Sequence, residues 1–168
     1  MAKLQSQLYE LSFATQKDNS RRDVLFLASD EDRRITAYNA FEKLPITSER
    51  HLRSRFDSWI DGDKNNPKWY HGWNKSEFGG QYTACFVFKC KENKKQRRFY
   101  GFLCNPQVFG GRYQACILVC HDFKNEHETH ENNLKIVETI RTSLNIQRVI
   151  NDFFKERFDG RSLDRTKH

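Results

Sequence analysis

Residues 89–130, KCKENKKQRRFYGFLCNPQVFGGRYQACILVCHDFKNEHETH, contain a basic segment, two apolar runs and three histidines. The first ten of these residues carry six basic side chains against one glutamate, a local charge of +5 in a chain whose net charge is +7. Most of the positive field therefore comes from one segment, and such clustering favours polyanionic partners. We interpret residues 89–98 as the loop of a basic hairpin and expect any chemistry to lie beside it.

Three apolar runs around this segment predict consecutive strands, namely Tyr82–Phe88, Arg98–Leu103 and Tyr113–Phe123. Short links of turn residues join them, which is typical of an antiparallel meander. An earlier apolar run, Asp23–Ser29, predicts an N-terminal strand, and helical periodicity follows it. The predicted fold class is therefore α+β, with an antiparallel sheet of a three-strand meander plus an N-terminal strand, packed with helices.

The chain of 168 residues divides by pattern into an N-terminal extension (1–22), one domain that includes the C-terminal helices (23–158) and a flexible tail (159–168). No apolar run approaches the roughly 20 residues that a membrane span needs. The first ten residues, MAKLQSQLYE, lack the apolar core of a signal peptide. We therefore predict a cytoplasmic protein with no membrane partner.

Five cysteines in such a protein predict reduced thiols rather than disulfides. They form no C-x-x-C pair, and most read as small core residues. A zinc site from Cys116, Cys120 and His121 is the alternative, but it lacks a second pair of ligands. We predict neither a metal nor another cofactor.

The order of elements, with these residues, resembles the RelE/ParE toxin superfamily, and most of all its HigB-like, phage-derived branch. The resemblance covers about residues 23–144. It rests on the first strand DVLFLAS with the two helices after it, the strand entry GGQYTACFVF, the strand RRFYGFL and the last strand ILVCHDFK. The chain departs from the family at Cys85, where an Arg is usual, and at Asn125, where a second Lys is usual.

The resemblance implies the toxin of a type II toxin–antitoxin system, with a RelE-like fold, a cognate antitoxin as partner and messenger RNA on the ribosome as substrate. RelE- and HigB-like members cleave messenger RNA, whereas ParE-like members target DNA gyrase. The Lys and His residues near the last strand favour the first activity. The alternative is a non-catalytic basic binding module, either ParE-like or directed at another protein or nucleic acid.

Metal-independent RNA cleavage needs cations that stabilise the phosphate and groups that exchange protons with the 2′-hydroxyl and the leaving oxygen. Arg98 and Lys124 are the predicted cations, because the resemblance and the electrostatic argument coincide there. Histidine suits the proton transfers. The catalytic candidates are Arg98, Lys124, His121, His127 and His130, and the RNA-binding candidates are Lys89, Lys91, Lys94, Lys95, Arg97 and Tyr100.

Each histidine also has a simpler interpretation. His121 alternates with Ile117 and Val119 and can be a hydrogen-bonded residue at the edge of the core. His127 and His130 lie in an acidic stretch, residues 125–132, whose glutamates suit the N-terminus of a helix. Arg97 and Arg98 can also be charged residues of the hairpin loop with no role in catalysis or binding.

Overall fold

The computed structural model describes residues 8–15, 21–62, 66–106, 113–124 and 131–165, with the backbone alone for Lys124 and residues 158–165. The strands in these residues are β1 (Glu10–Phe13), β2 (Arg22–Ala28), β3 (Tyr70–Gly72), β4 (Cys85–Glu92), β5 (Lys95–Cys104) and β6 (Gln114–Lys124). The helices are α1 (Ala37–Glu42), α2 (Ile46–Ile60), α3 (Glu131–Arg141) and α4 (Leu144–Arg165). The six described strands form one sheet in the order β1-β2-β6-β5-β4-β3.

The sheet is mixed, so the predicted antiparallel sheet is wrong, although the elements are those of an α+β fold. β2 runs parallel to β6, with Leu25 opposite Ile117, and the other pairs are antiparallel. Residues 23–27 of β2 are all buried. Burial on both faces is typical of a strand in a parallel pair, because helices cover both sides of the sheet there. An apolar run by itself predicts a strand but not the direction of its neighbour.

The two edge strands were not predicted. β1 lies within the predicted N-terminal extension and pairs with β2, with Leu11 opposite Leu27. β3 lies in an aromatic segment that reads as a loop, and His71 is opposite Val87 of β4. With four and three residues, these strands are too short for an alternation of apolar and polar residues to be recognised.

Helices cover both faces of the sheet, and each face has its own apolar core. On one face, the α2 face, α1 and α2 pack on Phe26, Phe88 and Leu118 among others. On the other, the α3 face, α3 and α4 pack on residues such as Val87 and Ile117. No helix in the described part of the chain is long and apolar enough to cross a membrane.

A β-bulge in β6 decides which side chains reach each face at the end of the sheet. Tyr100 is opposite Cys120, but Gly101 is opposite Leu118, so Val119 has no direct partner on β5. The carbonyl of Val119 instead accepts a hydrogen bond of 2.9 Å from the backbone N–H of Thr36, just before α1. Because a bulge inserts one residue, the side chains beyond it exchange faces.

Candidate functional site

The basic segment 89–98 is not a loop, because β4 and β5 continue through nearly all of it. Lys89 is opposite Arg98 at one end of the segment. Only Asn93 and Lys94 form the turn, and both have positive φ, 49° and 69°. Positive φ at both central residues is the geometry of a two-residue type I′ hairpin turn, whose twist matches that of the strands. The interpretation of this segment as a basic loop is therefore wrong.

The six basic side chains of this hairpin divide equally into an exposed and a buried group. Three are exposed and form the hairpin tip: Lys91, Lys94 and Lys95. Three are buried, with 8%, 8% and 4% of their surface exposed: Lys89, Arg97 and Arg98. Only the side chains of the first group are exposed to solvent. The buried group requires partners for its charges.

Arg97 lies on the α2 face in a closed cluster with Glu92, His121 and Phe123. Its guanidinium donates two hydrogen bonds to Glu92 Oε2, from Nη2 at 2.5 Å and from Nε at 2.9 Å. Its Nη1 donates a third hydrogen bond, of 3.1 Å, to His121 Nδ1. The guanidinium carbon lies 3.8 Å from the centre of the Phe123 ring, a cation–π contact. Burial, and then the neighbouring Arg97 charge, lower the pKa of His121. This cluster holds the hairpin against β6.

The α3 face carries a row of three charged residues that crosses three strands at the same end of the sheet. Lys89 is opposite Arg98, and Arg98 is opposite Asp122. We call these three residues the charged row. Asp122 Oδ2 accepts a hydrogen bond of 2.7 Å from Asn133 Nδ2 of α3. Lys89 Nζ donates a hydrogen bond of 2.8 Å to the carbonyl oxygen of Pro67. Two cations and one carboxylate therefore lie side by side, with a net charge of +1.

Tyr100 is next to the charged row and is fully buried. Its hydroxyl donates to Asp122 Oδ2 at 3.4 Å. Its ring stacks on Trp73 with 6.4 Å between the ring centres and 25° between the planes. Burial, and then the charge of Asp122, raise the pKa of Tyr100. The predicted stacking of Tyr100 on an RNA base requires this packing to open.

His71 of β3 is a half-buried histidine on the same face that the sequence reasoning missed. It is opposite Val87, which is opposite Tyr100 on β5. Its Nδ1 lies 2.9 Å from the carbonyl oxygen of Gly72, and its ring meets the Trp73 ring edge-on at 4.9 Å. The signal in the sequence was the aromatic stretch WYHGW, which surrounds a single histidine with large rings.

The structure brings some predicted site residues together and separates others. Arg98 and Tyr100 lie on the α3 face, whereas Arg97 and His121 lie on the α2 face, so the sheet itself stands between the two pairs. The backbone of Lys124 is opposite Gln96 at the end of β6, and its side chain lies outside the described atoms. His127 and His130 also lie outside the described residues.

Metal ligands are not grouped in the described part of the chain: no cluster there has three or more His, Cys, Asp or Glu side chains that could hold an ion. Cys116 and His121, two of the three residues in the zinc alternative, both point to the α2 face, but Cys120 points to the α3 face. Comparisons with family models, with curated proteins and with solved structures found no match to this chain.

Proposed function

We propose that this chain is the toxin of a type II toxin–antitoxin system and that it cleaves messenger RNA on the ribosome. The observation that carries the proposal is the charged row, in which Arg98 lies between Lys89 and Asp122 on one face of the sheet. Arg98 is one of the two residues, with Lys124, on which the resemblance and the electrostatic argument agree. A cytoplasmic location and a cognate antitoxin belong to the same proposal.

The chemistry of the row suits the transfer of a phosphoryl group. A scissile phosphate gains negative charge on its nonbridging oxygens as the 2′-oxygen attacks, and preorganised cations stabilise that charge. Arg98 Nε donates to Gln96 Oε1 at 2.9 Å, which holds the guanidinium in place. Arginine presents five N–H donors in a plane, so Arg98 can hydrogen-bond Gln96 and the Tyr100 side chain and still have N–H groups left for phosphate oxygens. Because only 4% of Arg98 is exposed, the phosphate reaches these groups when the packing over the row opens. In this proposal Lys124, two residues after Asp122, adds a third cation from the end of β6.

The test is growth arrest and messenger RNA cleavage on induced expression of the parent and of Arg98→Ala. We expect the variant to lose about 10²–10³ in cleavage rate, as for other preorganised groups that stabilise an oxyanion. Arg50→Ala is the matched control, because Arg50 is an exposed arginine of α2 on the other side of the sheet. Arg98→Lys, which keeps the charge in the buried site, separates a loss of charge from a loss of geometry.

Circular dichroism and thermal unfolding verify that the variants fold. If both variants fold and Arg98→Ala cleaves messenger RNA as fast as Arg50→Ala does, Arg98 does not take part in the reaction. A parent that neither arrests growth nor cleaves ribosome-bound messenger RNA would contradict the proposal as a whole.

The second candidate is a non-catalytic binding module, and the hairpin tip favours it. Lys91, Lys94 and Lys95 are exposed, whereas the head groups of Lys89 and Arg98 already bond to Pro67 and Gln96. An exposed lysine cluster binds phosphates without any reaction. RNA binding by the parent without cleavage, and independent of Arg98, would select this candidate.

A further inference from the structure

His71 differs from the other described histidines in being half-buried on the face of the charged row. His121 is on the opposite face and is held by Arg97. His51 is an exposed residue of α2. The sheet register brings His71 into line with Tyr100, with Val87 between them. His71 is therefore the one described histidine that lies on the same face of the sheet as Arg98.

The hydrogen bond of His71 fixes which ring nitrogen carries the proton. A carbonyl oxygen only accepts hydrogen bonds, so the contact of 2.9 Å between Nδ1 and the Gly72 oxygen assigns the hydrogen to Nδ1. Nε2 of the neutral ring then has the free lone pair. The edge-on contact with Trp73, which itself stacks on Tyr100, holds the plane of the ring. A fixed ring with an unprotonated Nε2 is what a general base requires.

Burial and two neighbouring positive charges favour the neutral form of His71. Burial is the largest influence and lowers its pKa below the ordinary 6.5, and the positive charges of Lys89 and Arg98 lower the pKa further. The bond to Gly72 and the charge of Glu77 act in the opposite direction. With its pKa below 6.5, the ring is largely unprotonated at neutral pH and ready to accept a proton.

We propose that His71 is the general base that activates the 2′-hydroxyl of RNA bound over the charged row. This assignment rests on the proposed function. Nε2 takes the proton of the 2′-hydroxyl while the 2′-oxygen forms a bond to phosphorus and the bond from phosphorus to the 5′-oxygen breaks. The leaving 5′-oxygen takes a proton from water, and the hydroxide so formed recovers the proton from His71. The products are a 2′,3′-cyclic phosphate and a 5′-hydroxyl.

The test compares His71→Gln with His51→Gln in single-turnover cleavage of one RNA. Glutamine keeps a polar side chain of similar size but cannot accept the proton, so we expect His71→Gln to lose about 10²–10⁴ in the rate of cleavage. His51→Gln should cleave within about twofold of the parent, because His51 lies on the other face of the sheet. Binding of a 2′-O-methyl RNA, which cannot be cleaved, should be alike in all three proteins.

The pH profile gives a readout that a merely structural role would not change. Since the base acts when unprotonated, the parent rate should rise with pH up to the pKa of His71, below 6.5, and then become constant. His71→Gln should lose this rise. Added imidazole should restore part of the rate to His71→Ala.

The outcomes separate the base assignment from the proposed function. A parent that cleaves RNA, with His71→Gln at the rate of His51→Gln, overturns the base assignment alone. A parent that does not cleave overturns both. If the variants at position 71 do not fold, nitrogen NMR of the parent decides, because a His71 ring that is protonated on Nε2 at neutral pH lacks the required lone pair and contradicts the assignment.

Discussion

Gly101 is the residue that allows β5 to follow the bulge of β6. A Cβ built on Gly101 would lie 2.1 Å from the carbonyl oxygen of Ile117 and 2.8 Å from the Cα of Leu118. Both are backbone atoms of β6, so no side chain can rotate to make room. Gly101→Ala must push the two strands apart at the bulge.

We expect Gly101→Ala to lower the free energy of unfolding by at least about 3 kcal/mol, the upper end of the range for overpacked cores. Urea unfolding followed by circular dichroism measures it. Gly72→Ala is the matched control, because a Cβ there would be 3.4 Å from its nearest neighbour, the carbonyl oxygen of Cys85. We expect a change of less than about 1 kcal/mol for the control. Equal stabilities of the two variants would show that the strands are not in contact at Gly101.

The same bulge explains why the sequence misplaces His121. Strict alternation from Ile117 predicts that His121 shares its face. With Val119 inserted, Asp122 lies on the α3 face instead, and His121 turns to Arg97 on the α2 face. The backbone contact that positions the bulge comes from Thr36, more than 80 residues away. No local pattern in β6 contains that information.

At the scale of the element, the hairpin of β4 and β5 separates exposed charge from buried charge. The tip holds Lys91, Lys94 and Lys95 in water, while the strands bury Lys89 and Arg97. A count of charges along the sequence treats all of them alike. Such a count does not show that Glu92, across the turn from Arg97, forms an ion pair with that arginine in the folded hairpin. Tip lysines alone are therefore expected to meet phosphates without rearrangement.

Alanine at Lys91, Lys94 and Lys95 together should weaken RNA binding and flatten its dependence on salt. Each lost phosphate contact lowers the slope of log K against log salt by about 0.7 for single-stranded RNA, so three contacts lower it by about 2. Fluorescence anisotropy over a series of salt concentrations measures both quantities.

A second triple variant with the same change in net charge is the control for this experiment. It replaces three exposed lysines far from the hairpin in the sequence: Lys43, which follows α1, Lys135 of α3 and Lys155 of α4. We expect the control to bind nearly as the parent does. If both triple variants lose the same affinity and slope, the effect comes from net charge and the hairpin tip has no special part in binding.

At the scale of the whole molecule, the sequence predicts which long segments form strands better than it predicts the order and direction of those strands in the sheet. The apolar runs of β4, β5 and β6 are long enough to predict strands, and the short links between these runs favour antiparallel pairing. The parallel place of β2 beside β6 joins residues about 90 apart, as in the hydrogen bond of 2.6 Å from the Tyr113 hydroxyl to Asp23. His71 was missed for the related reason that its strand exists only as an edge on β4.

The cysteines of the central strands offer a probe of how the whole sheet opens. Two lie on β4, one on β5 and two on β6: Cys85, Cys90, Cys104, Cys116 and Cys120. Burial is the largest cause of a raised thiol pKa at each of them, to about 11 at Cys90 and to about 12 at Cys85, Cys104 and Cys120. The pKa of the fully buried Cys116 lies well above the ordinary value of 9.0.

We therefore expect iodoacetamide to modify four of these thiols, all except Cys104, only when the sheet unfolds. The thiolate is the reactive form. At about pH 8 a thiol pKa near 12 leaves roughly one thiol in ten thousand ionised, against about a tenth for a thiol with the ordinary pKa of 9.0. Pulsed labelling in increasing urea, read by mass spectrometry at each cysteine, should give curves that coincide with unfolding by circular dichroism. Cys104, half-buried at the end of β5, is the one residue expected to react earlier, through fraying.

The same thiols give the effect of alkaline pH a definite sign. Above about pH 9 the unfolded chain releases thiol protons that the folded protein retains up to a pKa of about 11 or 12. The unfolded state then binds fewer protons, so the free energy of unfolding should fall as the pH rises from about 9 to about 11. Cys85→Ser and Cys120→Ser should each reduce this fall, since a serine hydroxyl does not ionise there. Labelling of Cys116 in native buffer at the rate of a free thiol would contradict a sheet that opens as one unit.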